Sequence, residues 1–142
     1  MASLKETWVA ALATTAACLA ASAMAVAFAT DVGQSDYSAK IVLAYHDKDV
    51  TILVFALAAV LMSATRNMRP ILRIMAGVFS GGVAANYLAS VIWDQGVPDY
   101  IHIQFAGIIA NAADICMMVS AVVIVVYIAY LATAKVVTTR LA

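Results

Sequence analysis

Two aspartates, Asp99 and Asp114, are the side chains of this sequence best suited to chemistry. Asp99 lies just before an apolar run that we expect to form a membrane span over 105–131, and Asp114 lies inside that run. A carboxylate about 13 residues into a span costs about 3 kcal/mol on insertion scales, so it usually faces a polar partner or a wet cavity. Asp99 is the nearest candidate partner.

Two carboxylates that converge in a medium of low dielectric constant tend to share one proton. The ionised member can then draw a proton from water while the protonated member donates to a carbonyl oxygen. Paired acids with one trapped water are the working parts of an aspartic protease. For Asp99 to meet Asp114, either the loop that carries Asp99 must fold back into the helical bundle or the site must be open to water.

Asparagines accompany the two acids. Asn111 precedes Asp114 by three residues, so on a continuous helix Gly107, Asn111, Asp114 and Met118 would share one face. We expect the Asn111 amide to donate to the Asp114 carboxylate and Asn86 to donate to it from a neighbouring helix, since a buried amide in lipid must find a partner.

The composition indicates an integral membrane protein with a single domain over 1–142. Apolar residues make up 65% of the chain and charged residues 11%, and the mean hydropathy is +0.98. The net charge is zero, so the sequence offers no sign of a nucleic-acid partner. Membrane lipids are the expected surroundings.

Cysteine and histidine give no metal-binding pattern. Cys18 and Cys116 both fall in apolar segments, where a pair of buried thiols is expected rather than a disulfide. His46 and His102 are expected at the membrane interface as hydrogen-bonding groups. We therefore predict neither a metal site nor a cofactor.

Four apolar segments, 8–29, 50–64, 71–93 and 105–131, predict an all-α protein with four transmembrane helices, of which the second is short. The excess of basic residues on one side predicts that both termini are cytoplasmic and that Asp99 lies at the outer face. The basic residues on that side are Lys5, Arg66, Arg69, Arg73, Lys135 and Arg140.

Three local patterns refine this topology. The first segment ends like a cleavable secretory signal, but it is long enough to span, so we expect it to be retained as a helix. In the outer loop, 41–45 could form a strand, giving a small β element, or lie on the membrane surface. Gly77, Gly81, Ala85 and Ala89 form a stripe of small residues that allows close helix packing.

The second half of the chain resembles, in order and spacing, the lipoprotein signal peptidases (signal peptidase II). The motifs that carry the resemblance are Gly81-Gly82-Val-Ala-Ala-Asn86, Gly96-Val-Pro-Asp99-Tyr100 and Asn111-Ala-Ala-Asp114. Members of that family are four-helix aspartyl proteases of the bacterial inner membrane. They cleave diacylglyceryl-modified prolipoproteins just before the lipidated cysteine, at the periplasmic face.

The resemblance implies a role for each matching residue. Asp99 and Asp114 match the catalytic dyad, and Asn86 and Asn111 match the asparagines of the two flanking motifs. Gly81 and Gly82 match the double glycine, so these four residues are expected to support the site or bind substrate. The implied partner is a lipid-modified prolipoprotein.

The chain also departs from the family pattern. Ala89 and Ser90 stand where the family has Asp-Arg, and the first helix and the outer loop lack the usual polar motifs. Three hypotheses therefore stay open. The chain is an active peptidase, a non-catalytic accessory or binding subunit in a larger membrane assembly, or a transport subunit that uses Asp114 as a proton relay.

Overall fold

The protein is mostly helical. The computed structural model describes residues 2–31, 42–44, 48–93 and 97–140. Within these ranges the helices are α1 (Ala2–Asp31), α2 (Lys48–Ala64), α3 (Pro70–Ile92) and α4 (Ala112–Arg140). A 3-10 turn over Thr65–Asn67 joins α2 to α3.

Three of the four helices are long and apolar enough to cross a membrane. Their candidate spans are Lys5–Phe28 in α1, Pro70–Ile92 in α3 and Ala112–Ala134 in α4. Helix α2 has 17 residues, fewer than a bilayer core requires, and Leu53–Ala64 is its apolar part among the residues whose side chains the structure describes. The structure therefore supports a membrane protein with three candidate spans, while the fourth span and the side on which the termini lie stay predictions.

Helix α3 lies at the centre, with α1, α2 and α4 packed around it. Its glycines permit the close approach: a Cβ atom on Gly77 would collide with the carbonyl oxygen of Thr7, and one on Gly81 with that of Ala11. The Thr15 hydroxyl of α1 also lies 3.1 Å from the Gly81 carbonyl oxygen, to which it can donate. The predicted close packing along the small-residue stripe is confirmed at these two glycines.

Neighbouring contacts fix the helix directions. Asn86 contacts Asp114 and Arg69 contacts Tyr127, so α3 and α4 run antiparallel. Thr7 and Ala11 of α1 face Gly77 and Gly81 of α3 in the same order, so these two helices run parallel.

One end of the bundle is rich in arginine, and we call it the basic end. The Arg73 guanidinium and the Glu6 carboxylate form an ion pair there at 2.8 Å. The start of α1, the α2–α3 connection and the C-terminal half of α4 therefore lie toward the same end. The opposite end, which carries the two aspartates, is called the site end.

Short strands cover the site end. Strand β1 (Val42–Ala44) pairs antiparallel with β2 (Val97–Asp99), and β3 (Ile101–Ile103) pairs antiparallel with β4 (Ile108–Ala110). A 3-10 turn over Gln104–Ala106 and Gly107 connect β3 to β4. Of the two alternatives for 41–45, the structure shows the strand, over Val42–Ala44. The three later strands lie in a region for which no strand was predicted.

The predicted start of the fourth span is wrong. Helix α4 begins at Ala112, seven residues after position 105, because 105–110 closes a hairpin instead of continuing a helix. Gly107 adopts a left-handed conformation with φ 62°, which reverses the chain. Gly107 and Asn111 therefore do not share a helical face with Asp114 and Met118, and Asp114 lies in the first turn of α4 rather than 13 residues inside a span.

Candidate active site

Asp99 is carried into the protein by strand β2. Val97 and Pro98 before it are almost fully buried, β2 packs against α1 and α3, and Asp99 itself is 7% exposed. Its backbone is opposite Val42 of β1. Of the two alternatives for bringing the acids together, the structure shows the first: the loop folds back into the bundle as a buried strand.

Asn111 and Asp114 begin α4 with a reciprocal pair of hydrogen bonds. The Asp114 N–H donates to Asn111 Oδ1 at 3.0 Å, and the Asn111 N–H donates to Asp114 Oδ2 at 3.1 Å. This is the pattern of a capping box, with Asp114 in place of the usual glutamate or glutamine. An acidic residue in the first turn also complements the positive end of the helix dipole. Helix initiation thus accounts for part of what Asp114 does.

The Asn111 side chain bonds to the carboxylate of Asp99 and to the backbone of Asp114. Its Nδ2 donates to Asp99 Oδ1 at 2.8 Å while its Oδ1 accepts from the Asp114 backbone. The residue is 1% exposed, so no water competes for these bonds. The prediction that the Asn111 amide donates to Asp114 is wrong, because in the cap geometry the amide oxygen faces Asp114 and the NH2 faces Asp99.

Asn86 supplies the remaining donor to Asp114. Its Nδ2 lies 2.7 Å from Asp114 Oδ1, across the contact between α3 and α4. Asn86 is 8% exposed, which is consistent with a buried amide that needs a partner. The prediction that Asn86 donates to Asp114 from a neighbouring helix is confirmed.

Tyr100 ends the second motif of the resemblance, but the sequence predicts no role for it in the site. Its hydroxyl accepts from the Ala112 N–H at 3.3 Å, and its own N–H donates to the Ala110 carbonyl at 3.0 Å. Tyr100 therefore ties the residue after Asp99 to the start of α4. Its position next to Asp99 is the sequence feature that points to Tyr100. The spacing of apolar residues does not reveal its hydrogen bond with Ala112, twelve positions later.

The site lies below the end of α3. Asn86 is six residues before Ile92, the last residue of α3, which corresponds to about 9 Å at 1.5 Å per residue. Trp93, an aromatic residue of the kind found at membrane interfaces, follows directly. Asp114 is thus recessed into the bundle although it begins its own helix.

Beneath the acids, α1, α3 and α4 share a small core of Cys18, Ala85 and Ala113. The Sγ atoms of Cys18 and Cys116 are 3.9 Å apart and both cysteines are free, as predicted. Small side chains at these positions let three helices converge directly under Asn86 and Asp114, and this packing holds the two polar residues within hydrogen-bonding distance.

The two adjacent glycines of α3 face different neighbours. Gly81 contacts α1, whereas a Cβ on Gly82 would lie 2.7 Å from Met117 Cγ and 2.8 Å from the Ala113 carbonyl oxygen of α4. Both glycines therefore bring helices together around the site. A direct contact of Gly81 or Gly82 with substrate stays a prediction.

Metal-binding side chains do not cluster in the described part of the chain. Across residues 2–31, 42–44, 48–93 and 97–140, no group of three or more His, Cys, Asp or Glu side chains is placed to hold a metal ion. His102 is exposed on β3, and His46 lies outside the described residues.

The arrangement joins two carboxylates through one residue, because the Asn111 side chain bonds to Asp99 and the Asn111 backbone N–H bonds to the Asp114 carboxylate. Asp99 and Asp114 are each held by an asparagine NH2, and Asn111 fixes their relative positions. Such a pair can perform general acid–base chemistry on a carbonyl compound and a water molecule brought between them. The chain matches no protein-family model, no curated protein and no solved structure.

Proposed function

We propose that the chain is a membrane aspartyl endopeptidase of the signal peptidase II type. The observation that carries the proposal is the buried link from Asp99 through Asn111 to Asp114 at the site end of an apolar helical bundle. The three motifs of the resemblance converge at this link, since Asn86 belongs to the first, Asp99 to the second and Asn111 with Asp114 to the third.

In this mechanism the two acids divide the proton transfers. One carboxylate is ionised and takes a proton from the attacking water, while the other is protonated and donates to the peptide carbonyl oxygen. Asn86 and Asn111 orient the acids, because each donates its NH2 to one carboxylate. The proposed substrate is a diacylglyceryl-modified prolipoprotein, whose acyl chains would lie in lipid beside the helices.

The test is cleavage of such a prolipoprotein by the purified protein in nanodiscs, followed by mass spectrometry of the product. We expect the wild type to cleave before the lipidated cysteine. Asp99→Asn and Asp114→Asn should each reduce turnover by about 10²-fold or more, because each removes an acid–base group. Thermal unfolding should show that both variants remain folded, since asparagine preserves the shape of the side chain.

Glu6→Gln is the matched control, because it neutralises a carboxylate at the basic end of the bundle. It should leave cleavage unchanged. A wild type that is inert where an authentic signal peptidase II cleaves the same substrate would overturn the peptidase proposal.

The second candidate is a non-catalytic binding or accessory subunit. It is favoured by α3, where Ala89 is buried and the Ser90 hydroxyl bonds to the Tyr87 carbonyl of its own helix, so neither offers the charged groups of the family motif. In that case the wild type is inert, and Asp99→Asn and Asp114→Asn leave assembly of its complex unchanged. Co-purification of the complex from membranes measures this.

The proton-relay hypothesis assumes a carboxylate in the middle of a membrane span. Asp114 instead lies in the first turn of α4, and its two carboxylate oxygens accept hydrogen bonds from Asn86 and from the Asn111 N–H. Helix initiation and the contact with α3 therefore account for its presence.

A further inference from the structure

A hairpin over 101–110, which we call the Phe105 hairpin, lies between Asp99 and α4. Its strands pair Ile101 with Ala110 and Ile103 with Ile108. The tip is closed by the hydrogen bond from the Gly107 N–H to the Gln104 carbonyl oxygen at 3.3 Å. The hairpin is therefore a defined structure and not an extended linker.

The tip contacts almost nothing in the described chain. Phe105 is 97% exposed and Ile108 is 55% exposed. Open space surrounds Gly107, since a Cβ atom placed there would meet no atom within 4 Å. A fully exposed aromatic side chain beside an exposed isoleucine forms an apolar surface that nothing in the described residues covers.

The hairpin is also uncharged. From position 100 to position 113 the sequence contains no Lys, Arg, Asp or Glu, and His102 is its single titratable side chain apart from Tyr100. A two-stranded hairpin is only marginally stable in water. Leaving a large apolar side chain exposed to water also loses about 1.5–3 kcal/mol of the stabilising free energy that its burial would give. An uncharged apolar tip is instead typical of segments that enter the interface of a bilayer.

The base of the hairpin is held at the depth of that interface. Asn111 directly follows β4, and its neighbour Asp114 lies level with Asn86, about 9 Å below the end of α3. Tyr100 fixes the other strand to the same place through its bond with Ala112. The hairpin therefore projects from a level at which α3 still presents apolar residues such as Leu88 to its surroundings.

We infer that the Phe105 hairpin inserts its tip into the lipid leaflet at the site end of the bundle. The apolar surface of the tip contacts the lipids at the boundary between headgroups and acyl chains. That region is continuous with the lipid-facing surface of α3, and it accepts an aromatic side chain. The hairpin thereby anchors the strand that carries Asp99 to the membrane. This inference does not depend on peptidase activity.

The test places an environment-sensitive fluorophore at the tip. In a variant with Cys18→Ser and Cys116→Ser, Phe105→Cys is labelled with a nitrobenzoxadiazole probe and reconstituted into phosphatidylcholine and phosphatidylglycerol vesicles. Matched labels at Val125→Cys, exposed on α4, and at Asn67→Cys, exposed in the α2–α3 connection, report lipid and water respectively. Quenching by spin-labelled lipid and by aqueous iodide is measured at each position.

We expect the probe at position 105 to behave like the one at Val125, with quenching by the lipid-borne spin label and protection from iodide. If iodide quenches the probe at position 105 as strongly as the probe at Asn67, and spin-labelled lipid does not quench it, the inference is overturned. The tip would then be a surface for a water-soluble partner.

A second variant keeps both core cysteines and an aromatic tip. Phe105→Trp in a background of Trp8→Phe and Trp93→Phe should be quenched by lipids with brominated acyl chains. Absence of that quenching, with a red-shifted emission typical of water, would equally overturn the inference.

Discussion

Asn111 connects the two carboxylates as a single residue, through its side chain on one and its backbone N–H on the other. Its NH2 donates to Asp99, its oxygen accepts from the Asp114 backbone, and its own N–H donates back to the Asp114 carboxylate. Because Asn111 is almost fully buried, each of these bonds forms without competition from water. The residue therefore combines initiation of α4 with placement of the acids.

Two substitutions separate these functions. Asn111→Ala should destabilise the protein by about 1 kcal/mol for the lost cap and about 1–3 kcal/mol more for the lost hydrogen bond from the Asn111 NH2 to the buried Asp99 carboxylate. Asn111→Ser retains an oxygen for capping but is too short to reach Asp99. We expect its unfolding temperature in detergent to lie between those of the alanine variant and the wild type.

Thr133→Ala, which removes an exposed hydroxyl bonded within α4, is the control and should unfold with the wild type. Unfolding of both Asn111 variants at the wild-type temperature would contradict the linking role. If the peptidase proposal holds, cleavage should fall in both variants, because both lose the bond to Asp99.

At the scale of elements, α3 positions the site because it contacts each of the other helices. Gly81 brings α1 close, Gly82 brings α4 close, and Asn86 follows one turn later to bond with Asp114. In lipid there is no hydrophobic driving force between helices, so close packing of small residues holds them together. The same packing sets the distance across which Asn86 reaches Asp114.

Gly81→Ala should weaken the contact between α1 and α3. The new Cβ would collide with the Ala11 carbonyl oxygen and lie 2.7 Å from Thr14 Cβ, and a backbone carbonyl cannot move without displacing its helix. We expect a loss of about 1–3 kcal/mol, as for other overpacked contacts, measured as a lower unfolding temperature in detergent.

Ser90→Ala on the same helix is the matched control, because its side chain bonds within α3 and contributes little. Equal stability of Gly81→Ala and Ser90→Ala would show that α1 and α3 are not in close contact at this position.

At the scale of the whole molecule, the helices are arranged so that the start of α1, the α2–α3 connection and the C-terminal half of α4 lie toward the basic end. This arrangement is the one expected if all four helices cross the membrane and both termini are cytoplasmic. The short apolar part of α2 is the element on which that prediction depends.

Labelling of single cysteines in intact and permeabilised cells measures the topology. In a background with Cys18→Ser and Cys116→Ser, cysteines replace Lys5, Ser35 and Asn67. Four spans predict that positions 5 and 67 react from the cytoplasm and that position 35 reacts from outside. If α2 does not cross, positions 5 and 67 would react from opposite sides, and the four-span prediction would fail.

The sequence by itself determined the class of the protein and the members of the site. Composition and run length predict apolar helices of membrane-spanning length, and the spacing of Gly77 and Gly81 predicts a closely packed helix face. The acids and the donor role of Asn86 were also predictable, because polar side chains are costly in apolar segments and must be paired. These features are local, so a single sequence shows them.

The tertiary structure decided where α4 begins and which acid each amide faces. The run over 105–131 is apolar throughout, and apolarity alone does not distinguish a strand from a helix. Pairing between β3 and β4, with the left-handed Gly107 between them, resolves this in favour of a hairpin and moves the helix start to Ala112. The register of this hairpin pairs Ile101 with Ala110 and so brings Asp99 near Asn111. Strand β2 also pairs with β1, a contact more than fifty residues apart that no local pattern encodes.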